Sequence, residues 1–109
     1  MTAQTTARAQ AYADPVVVDP KHYKVEMENE QARVLRITYD PHERSVMHGH
    51  PAAVAVCLTD FHARFTSPDG KTEERRGKAG DTIATPPEEH LPENFGAERF
   101  ELILVEFKR

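Results

Sequence analysis

Short extended segments constrain the fold of this chain more than any other feature. From Pro15 onward, apolar runs alternate with turn residues about every eight to twelve positions, a spacing typical of all-β sandwiches and barrels. Examples are "RVLRITYD", which ends at Asp40-Pro41, and "FHARFTS", which runs into Pro68-Asp69-Gly70. Helical periodicity does not extend beyond about one turn anywhere. The pattern predicts an all-β fold, a small jelly-roll barrel of roughly eight to ten antiparallel strands.

The length of 109 residues fits one domain. The first 14 residues, "MTAQTTARAQAYAD", contain almost no large apolar side chains. Such a composition offers little burial to offset the entropy of ordering. We therefore predict a flexible N-terminal tail over residues 1–14 and a barrel domain over residues 15–109.

Composition also limits the partners and the compartment. The formal net charge is -4, and lysine and arginine are dispersed, which argues against nucleic acid as a partner. Neither a membrane-length apolar run nor a secretory signal is recognisable, so no membrane partner is expected. The single cysteine, Cys57, excludes an intrachain disulfide and fits a reducing compartment, so we predict a cytoplasmic protein.

The segment "VMHGHPAA" carries the clearest chemical signal. His48 and His50 are two residues apart, so on a strand both imidazoles point to the same face. Neutral imidazole is the commonest nitrogen ligand of metals in proteins. Of the other histidines, His90 is the best candidate for a third ligand, because Pro86-Pro87 forms a rigid corner just before it. The alternative is that His48 and His50 are ordinary surface residues near a turn.

Taken together, these residues resemble the cupin superfamily of small β-barrels, and the resemblance covers about residues 15–108. Its first motif reads G-x5-H-x-H-x3-4-E-x6-G, and its paired histidines match His48 and His50. Its second reads G-x5-P-x-G-x2-H-x3-N, and matches Gly80, Pro86, His90 and Asn94, with the proline-to-histidine spacing one residue short. The resemblance implies a double-stranded β-helix barrel, a metal held by His48, His50 and His90, and a homodimer.

The sequence departs from the first motif at three positions. The first glycine falls at His42, the ligand glutamate falls between Ala53 and Val54, and the closing glycine falls near Asp60. Three histidines therefore remain as ligands, a set that fits a divalent ion of iron, zinc, manganese or nickel. Glu88 or Glu89 as a replacement carboxylate ligand is the less favoured alternative.

Two functions follow from this reading. The first is a metal-binding cupin that binds or transforms a small, anionic molecule. Its most specific form is a three-histidine iron dioxygenase. Isomerase or lyase chemistry would use the same ligands. The alternative, favoured by the missing glutamate, is a metal-free barrel that binds or senses a small molecule without catalysis. Whether the protein is an enzyme is left open, and the residues indicate no catalytic acid or base.

The remaining polar residues receive structural interpretations. His42 lies in a polar turn and is expected to be exposed. His62 is expected to face solvent on its strand, and His22 has no assigned role. Asn94 is expected to brace a turn through hydrogen bonds to the backbone. Cys57 is expected to be a buried, inert thiol, because strand parity turns it inward.

Overall fold

The computed structural model describes residues 12–108. Within that range the chain forms one short helix and nine strands. In chain order they are α1 (Pro15–Val18), β1 (Tyr23–Glu28), β2 (Ala32–Tyr39), β3 (His48–His50), β4 (Ala53–Cys57), β5 (Phe61–Thr66), β6 (Thr72–Gly77), β7 (Thr82–Thr85), β8 (Glu88–Glu93) and β9 (Phe100–Phe107). The predicted all-β fold is confirmed.

The strands form two antiparallel sheets that pack face to face. One sheet has five strands in the order β1-β2-β9-β4-β7, and the other has four in the order β3-β8-β5-β6. The core lies between them, where Phe61 of the second sheet meets Phe100 of the first edge to face, with ring centroids 4.7 Å apart. This is the small jelly roll that the strand pattern predicted and the double-stranded β-helix that the resemblance implied.

Strand parity explains which side chains enter the core. On β9, Phe100, Leu102 and Leu104 are buried, while the residues between them are partly exposed. On β4, Ala53, Ala55 and Cys57 face inward in the same way, so the predicted burial of the thiol is confirmed. Because side chains alternate along a strand, each apolar set turns toward the opposite sheet.

The turn predicted at Pro68-Asp69-Gly70 is confirmed, and two further residues, Gly80 and His42, also have a positive φ. Strands β5 and β6 form a hairpin closed at Gly70, whose φ of 89° lies in the region that glycine adopts without strain. Gly80, which matches the first glycine of the second cupin motif, has a φ of 91° before β7. His42 stands where the first motif has glycine, and it too has a positive φ, 69°. His42 therefore adopts a backbone conformation that is more favourable for glycine than for histidine.

Strand β8 was not predicted. The sequence indicated a corner after Pro86-Pro87 with His90 just beyond it, whereas His90 lies in the middle of a strand that pairs with both β3 and β5. The two glutamates and Pro92 of this segment do not favour a strand. Hydrogen bonds to β3 and β5 on either side hold it in the extended conformation. The site histidine is therefore fixed by a sheet rather than by a loop.

The predicted N-terminal tail lies mostly outside the described residues. Its last residues contact the barrel: the Gly49 amide donates to the carbonyl of Ala13 at 2.9 Å, and Asp14 caps α1 by accepting from the Val16 amide. The division of the chain at residue 14 remains a prediction. In the part of the chain that the structure describes, no helix is long and apolar enough to cross a membrane.

Candidate metal centre

Three histidines converge inside the barrel. His48 and His50 lie on β3, and His90 lies on β8 directly opposite His48. Their ring centroids form a near-equilateral triangle with sides of 5.0, 5.1 and 5.2 Å. One nitrogen of each ring lies within 4.8 Å of the others, and all three residues are buried. The structure thus brings together the three residues that the sequence singled out.

The hydrogen bonds of these rings leave nitrogen lone pairs free. The Nδ1 of His48 lies 2.8 Å from the carbonyl oxygen of Val46, which can only accept, so this nitrogen carries the proton. The Nε2 of His48 is buried and has no hydrogen-bond partner among the described residues. Nδ1 of His90 also has no hydrogen bond there, although Oε2 of Glu88 lies 3.5 Å away. A buried nitrogen without a partner costs about 1–3 kcal/mol. A bound metal would remove that cost, so the residues present fit such an ion.

The interior also disfavours the charged forms of His48 and His90. Burial, together with the charges that His50 and His90 would carry, lowers the pKa of His48 to about 3. Burial likewise lowers the pKa of His90. A neutral imidazole has the lone pair that a metal needs, so the environment favours ligation over protonation near neutral pH.

A buried carboxylate that the sequence analysis missed, Glu106, is hydrogen-bonded to His50. Glu106 is 2% exposed, and its Oε2 accepts from Nδ1 of His50 at 2.6 Å. Its Oε1 accepts from Nε of Arg33 at 2.9 Å. The signal was present in the sequence, because the alternation that turns Phe100, Leu102 and Leu104 inward does the same to Glu106.

A cavity of about 100 Å³ opens beside the histidines. Its wall is mostly apolar, and Phe61, Phe65, Phe100, Leu102 and Leu104 contribute to it. Polar side chains in the lining include His50, His90, Arg75 and Glu88. An apolar cavity with a few convergent polar groups is the usual form of a small-molecule site.

Arg75 and Glu88 form an ion pair in the cavity wall. Two guanidinium nitrogens of Arg75 donate to the two oxygens of Glu88, each at 3.0 Å, and the guanidinium stacks 4.4 Å from the ring centre of Phe65. Although burial opposes ionisation, the contacts with His90 and Arg75 lower the pKa of Glu88 to about 2. Both oxygens of Glu88 therefore accept hydrogen bonds from Arg75. Its Oε2 lies 3.5 Å from Nδ1 of His90. Glu89, the other carboxylate considered, is exposed.

The remaining histidines lie apart from this cluster. His42 is exposed, as predicted, and His62 is partly exposed beside Glu74. His22, to which no role was assigned, is 5% exposed; it stacks on Tyr39 with centroids 4.2 Å apart and bonds to Asp19 and Glu43. It is thus a structural core residue.

Asn94 braces a turn as predicted. Its Nδ2 donates to the carbonyls of Tyr39 and Glu98, and its Oδ1 accepts from the amide of Gly96.

Solved structures share this architecture. A cupin domain from Bordetella pertussis superposes with a TM-score of 0.73 at 22% identity, covering 80% of this chain and 92% of that one. A cupin 2 conserved barrel domain protein from Salinispora arenicola gives 0.61 at 22% identity over 84% and 79%. A cupin family protein with a double-stranded β-helix fold from Methanocaldococcus jannaschii gives 0.61 at 18% identity over 90% and 89%.

No family model matches the chain, and no curated protein matches it either. The solved structures establish the fold: this chain has the fold of the small cupin barrels. The resemblance identified from the histidine motifs is confirmed at that level.

Proposed function

We propose that the chain binds a divalent transition metal through His48, His50 and His90, and that the metal holds a small anionic molecule in the adjacent cavity. The observation that carries this proposal is the convergence of three buried imidazoles, two of which have a buried nitrogen without a hydrogen-bond partner. Such a metal supplies Lewis-acid chemistry, or oxygen chemistry if it is iron(II).

The choice of an anion rests on charge. The three ligands are neutral, and Ala53 occupies an inward, 2% exposed position near the place of the motif glutamate. The ligand atoms themselves therefore carry no negative charge to offset that of the ion. A carboxylate, enolate or thiolate would neutralise it, while the apolar wall would accept the rest of the molecule.

A three-histidine iron dioxygenase is the most specific form of this proposal. Isomerase or lyase chemistry on a keto acid or sugar-like substrate would use the same ligands with another metal. Zinc as the ion bound after purification would rule out the dioxygenase, because only a redox-active ion supports oxygen chemistry.

Elemental mass spectrometry on protein without a histidine tag tests the site. We expect close to one metal ion per chain, lost in His48→Ala and in His90→Ala and kept in His62→Ala, a matched histidine on β5 that is outside the cluster. Titration of the cobalt-loaded protein with azide, followed by the visible spectrum, then tests anion binding. Absence of metal after incubation with iron(II), zinc, manganese and nickel would favour the metal-free binding barrel instead.

We further propose that the chain is a homodimer. Strand β1 is an edge of the five-stranded sheet, and its Val25 and Met27 are 42% and 50% exposed. An unpaired edge strand with exposed apolar side chains favours pairing with another chain. Light scattering should give the mass of two chains, and that mass should fall to one chain in Val25→Lys/Met27→Lys.

A further inference from the structure

We propose that Glu106 supplies the carboxylate of this metal site from outside the ligand shell, as a positioning residue that acts through His50. The metal part of this inference rests on the proposed function. Its geometric part, the control of the His50 ring by Glu106, does not require a metal.

The contact between the two side chains fixes which nitrogen of His50 is available. Glu106 Oε2 and His50 Nδ1 are 2.6 Å apart, and the residues are 2% and 5% exposed. Because a carboxylate accepts, the Nδ1 of His50 carries the proton and its Nε2 keeps the lone pair. A carboxylate behind a ligating histidine holds the ring in one orientation and raises its basicity as a ligand.

The carboxylate is itself held from the other side. Arg33 donates through Nε to Oε1 of Glu106 at 2.9 Å, and its Nη1 and Nη2 donate to the two oxygens of Asp14 at 3.0 Å each. Charge-assisted bonds of this kind have strong directional preferences. Glu106 is therefore fixed between Arg33 and His50 and is not free to swing into the cavity.

The position of Glu106 relates directly to the missing motif glutamate. Ala53 on β4 and Glu106 on β9 are register partners, and both are buried toward the interior. The carboxylate thus sits on the neighbouring strand, at the level where the motif would place it on β4. From there it accepts a hydrogen bond from Nδ1 of His50. Its negative charge therefore acts on the site through the His50 ring and not as a direct ligand.

Nuclear magnetic resonance of the metal-free protein tests the geometric part. Long-range ¹H–¹⁵N spectra should show His50 as the Nδ1–H tautomer in the wild type, with His50→Gln providing the assignment. Glu106→Gln keeps one acceptor oxygen for two donors, Nε of Arg33 and Nδ1 of His50, so it should weaken this preference. Arg33→Met/Glu106→Leu removes both charges of this ion pair together and should lose the preference. An unchanged tautomer in a folded double variant would overturn the proposal.

Metal affinity tests the second part, by competition with a chromophoric chelator for zinc and cobalt. We expect weakening of about 10-fold in Glu106→Gln and up to about 100-fold in the double variant, the range for residues behind metal ligands. Glu101→Gln is the matched control, because Glu101 pairs with Arg36 across the same two strands from the other face. Equal affinities in wild type and double variant would also overturn the proposal. If the wild type binds no metal, the proposed function fails and the tautomer alone decides the role of Glu106.

Discussion

His48 and His90 are directly opposed on antiparallel strands, with ring centroids 5.1 Å apart and ring planes at 88°. This pairing brings together two motifs that lie far apart in the sequence. A slip of one residue between β3 and β8 would turn one imidazole out of the barrel. The candidate centre therefore depends on strand register as much as on the presence of histidines.

Gly49, between the two histidines of β3, should not tolerate a side chain. A Cβ at this position would clash with Cγ of Tyr12, so the ring would have to move. We expect Gly49→Ala to lower the free energy of unfolding by about 1–3 kcal/mol, the usual cost of overpacking. Urea denaturation measures it.

Two variants show whether the clash with Tyr12 is the cause. In a Tyr12→Ala background, Gly49→Ala should cost much less. Gly96→Ala, where the nearest contact would be an ordinary 3.6 Å, should be nearly neutral. Equal losses with and without the tyrosine ring would contradict this explanation.

His42→Gly should stabilise the protein. His42 is exposed and has a φ of 69°, a conformation that is unfavourable for residues with a Cβ and open to glycine. Relief of this strain exceeds the extra backbone entropy of glycine in the unfolded chain, so a gain of about 0.5–1 kcal/mol is expected. Thermal and urea denaturation should both show it. The same change at His62, within strand β5, should instead destabilise; a loss at both positions would contradict the prediction.

Glu43 should make stability depend on pH in the acid range. A hydrogen bond from Lys21, followed by one from the Asp40 amide, lowers the pKa of Glu43 to about 2. Because the folded-state pKa lies below the usual value of 4.5, the stabilisation is complete above pH 4.5 and is lost as pH falls toward 2.

Glu43→Gln measures this contribution. It should cost about 0.5–1 kcal/mol at pH 7, the scale of partly exposed ion pairs, and the difference from wild type should shrink steadily below pH 4.5. Thermal melts over pH 3–7 provide the comparison, with exposed Glu89→Gln as control. A difference that stays constant across this range would rule out the carboxylate as its source.

Asn94→Ala should destabilise through unsatisfied backbone groups. Its side chain donates to the carbonyls of Tyr39 and Glu98 and accepts from the amide of Gly96. The residue is 1% exposed. Loss of these bonds should cost about 1–3 kcal/mol by urea denaturation. Asn94→Asp keeps the acceptor for the amide but sets a carboxylate against two carbonyls, so it should be no better than alanine. A stable aspartate variant would refute this account.

Local patterns were sufficient to predict most of the barrel. Short apolar runs, strand parity at Cys57 on β4 and the turn at Gly70 predicted the strands, one inward face and the hairpin, because parity and turn chemistry act over a few residues. Strand β8 was missed since its own residues do not favour a strand, and two neighbouring strands impose it. Glu106 was missed because an acidic residue at the end of an apolar strand looks like a surface position until its partners are known.

The sequence by itself determined the β-strand pattern, the paired histidines of β3 and the loss of the motif glutamate. Each of these features depends only on residue type and on spacing along the chain. Only the tertiary structure decided that His90 faces His48 and that Glu106 stands behind His50 opposite Ala53. Those relationships depend on long-range register and on burial. Register is selected by the packing of whole sheets, and a buried carboxylate is stable only where Arg33 and His50 meet it.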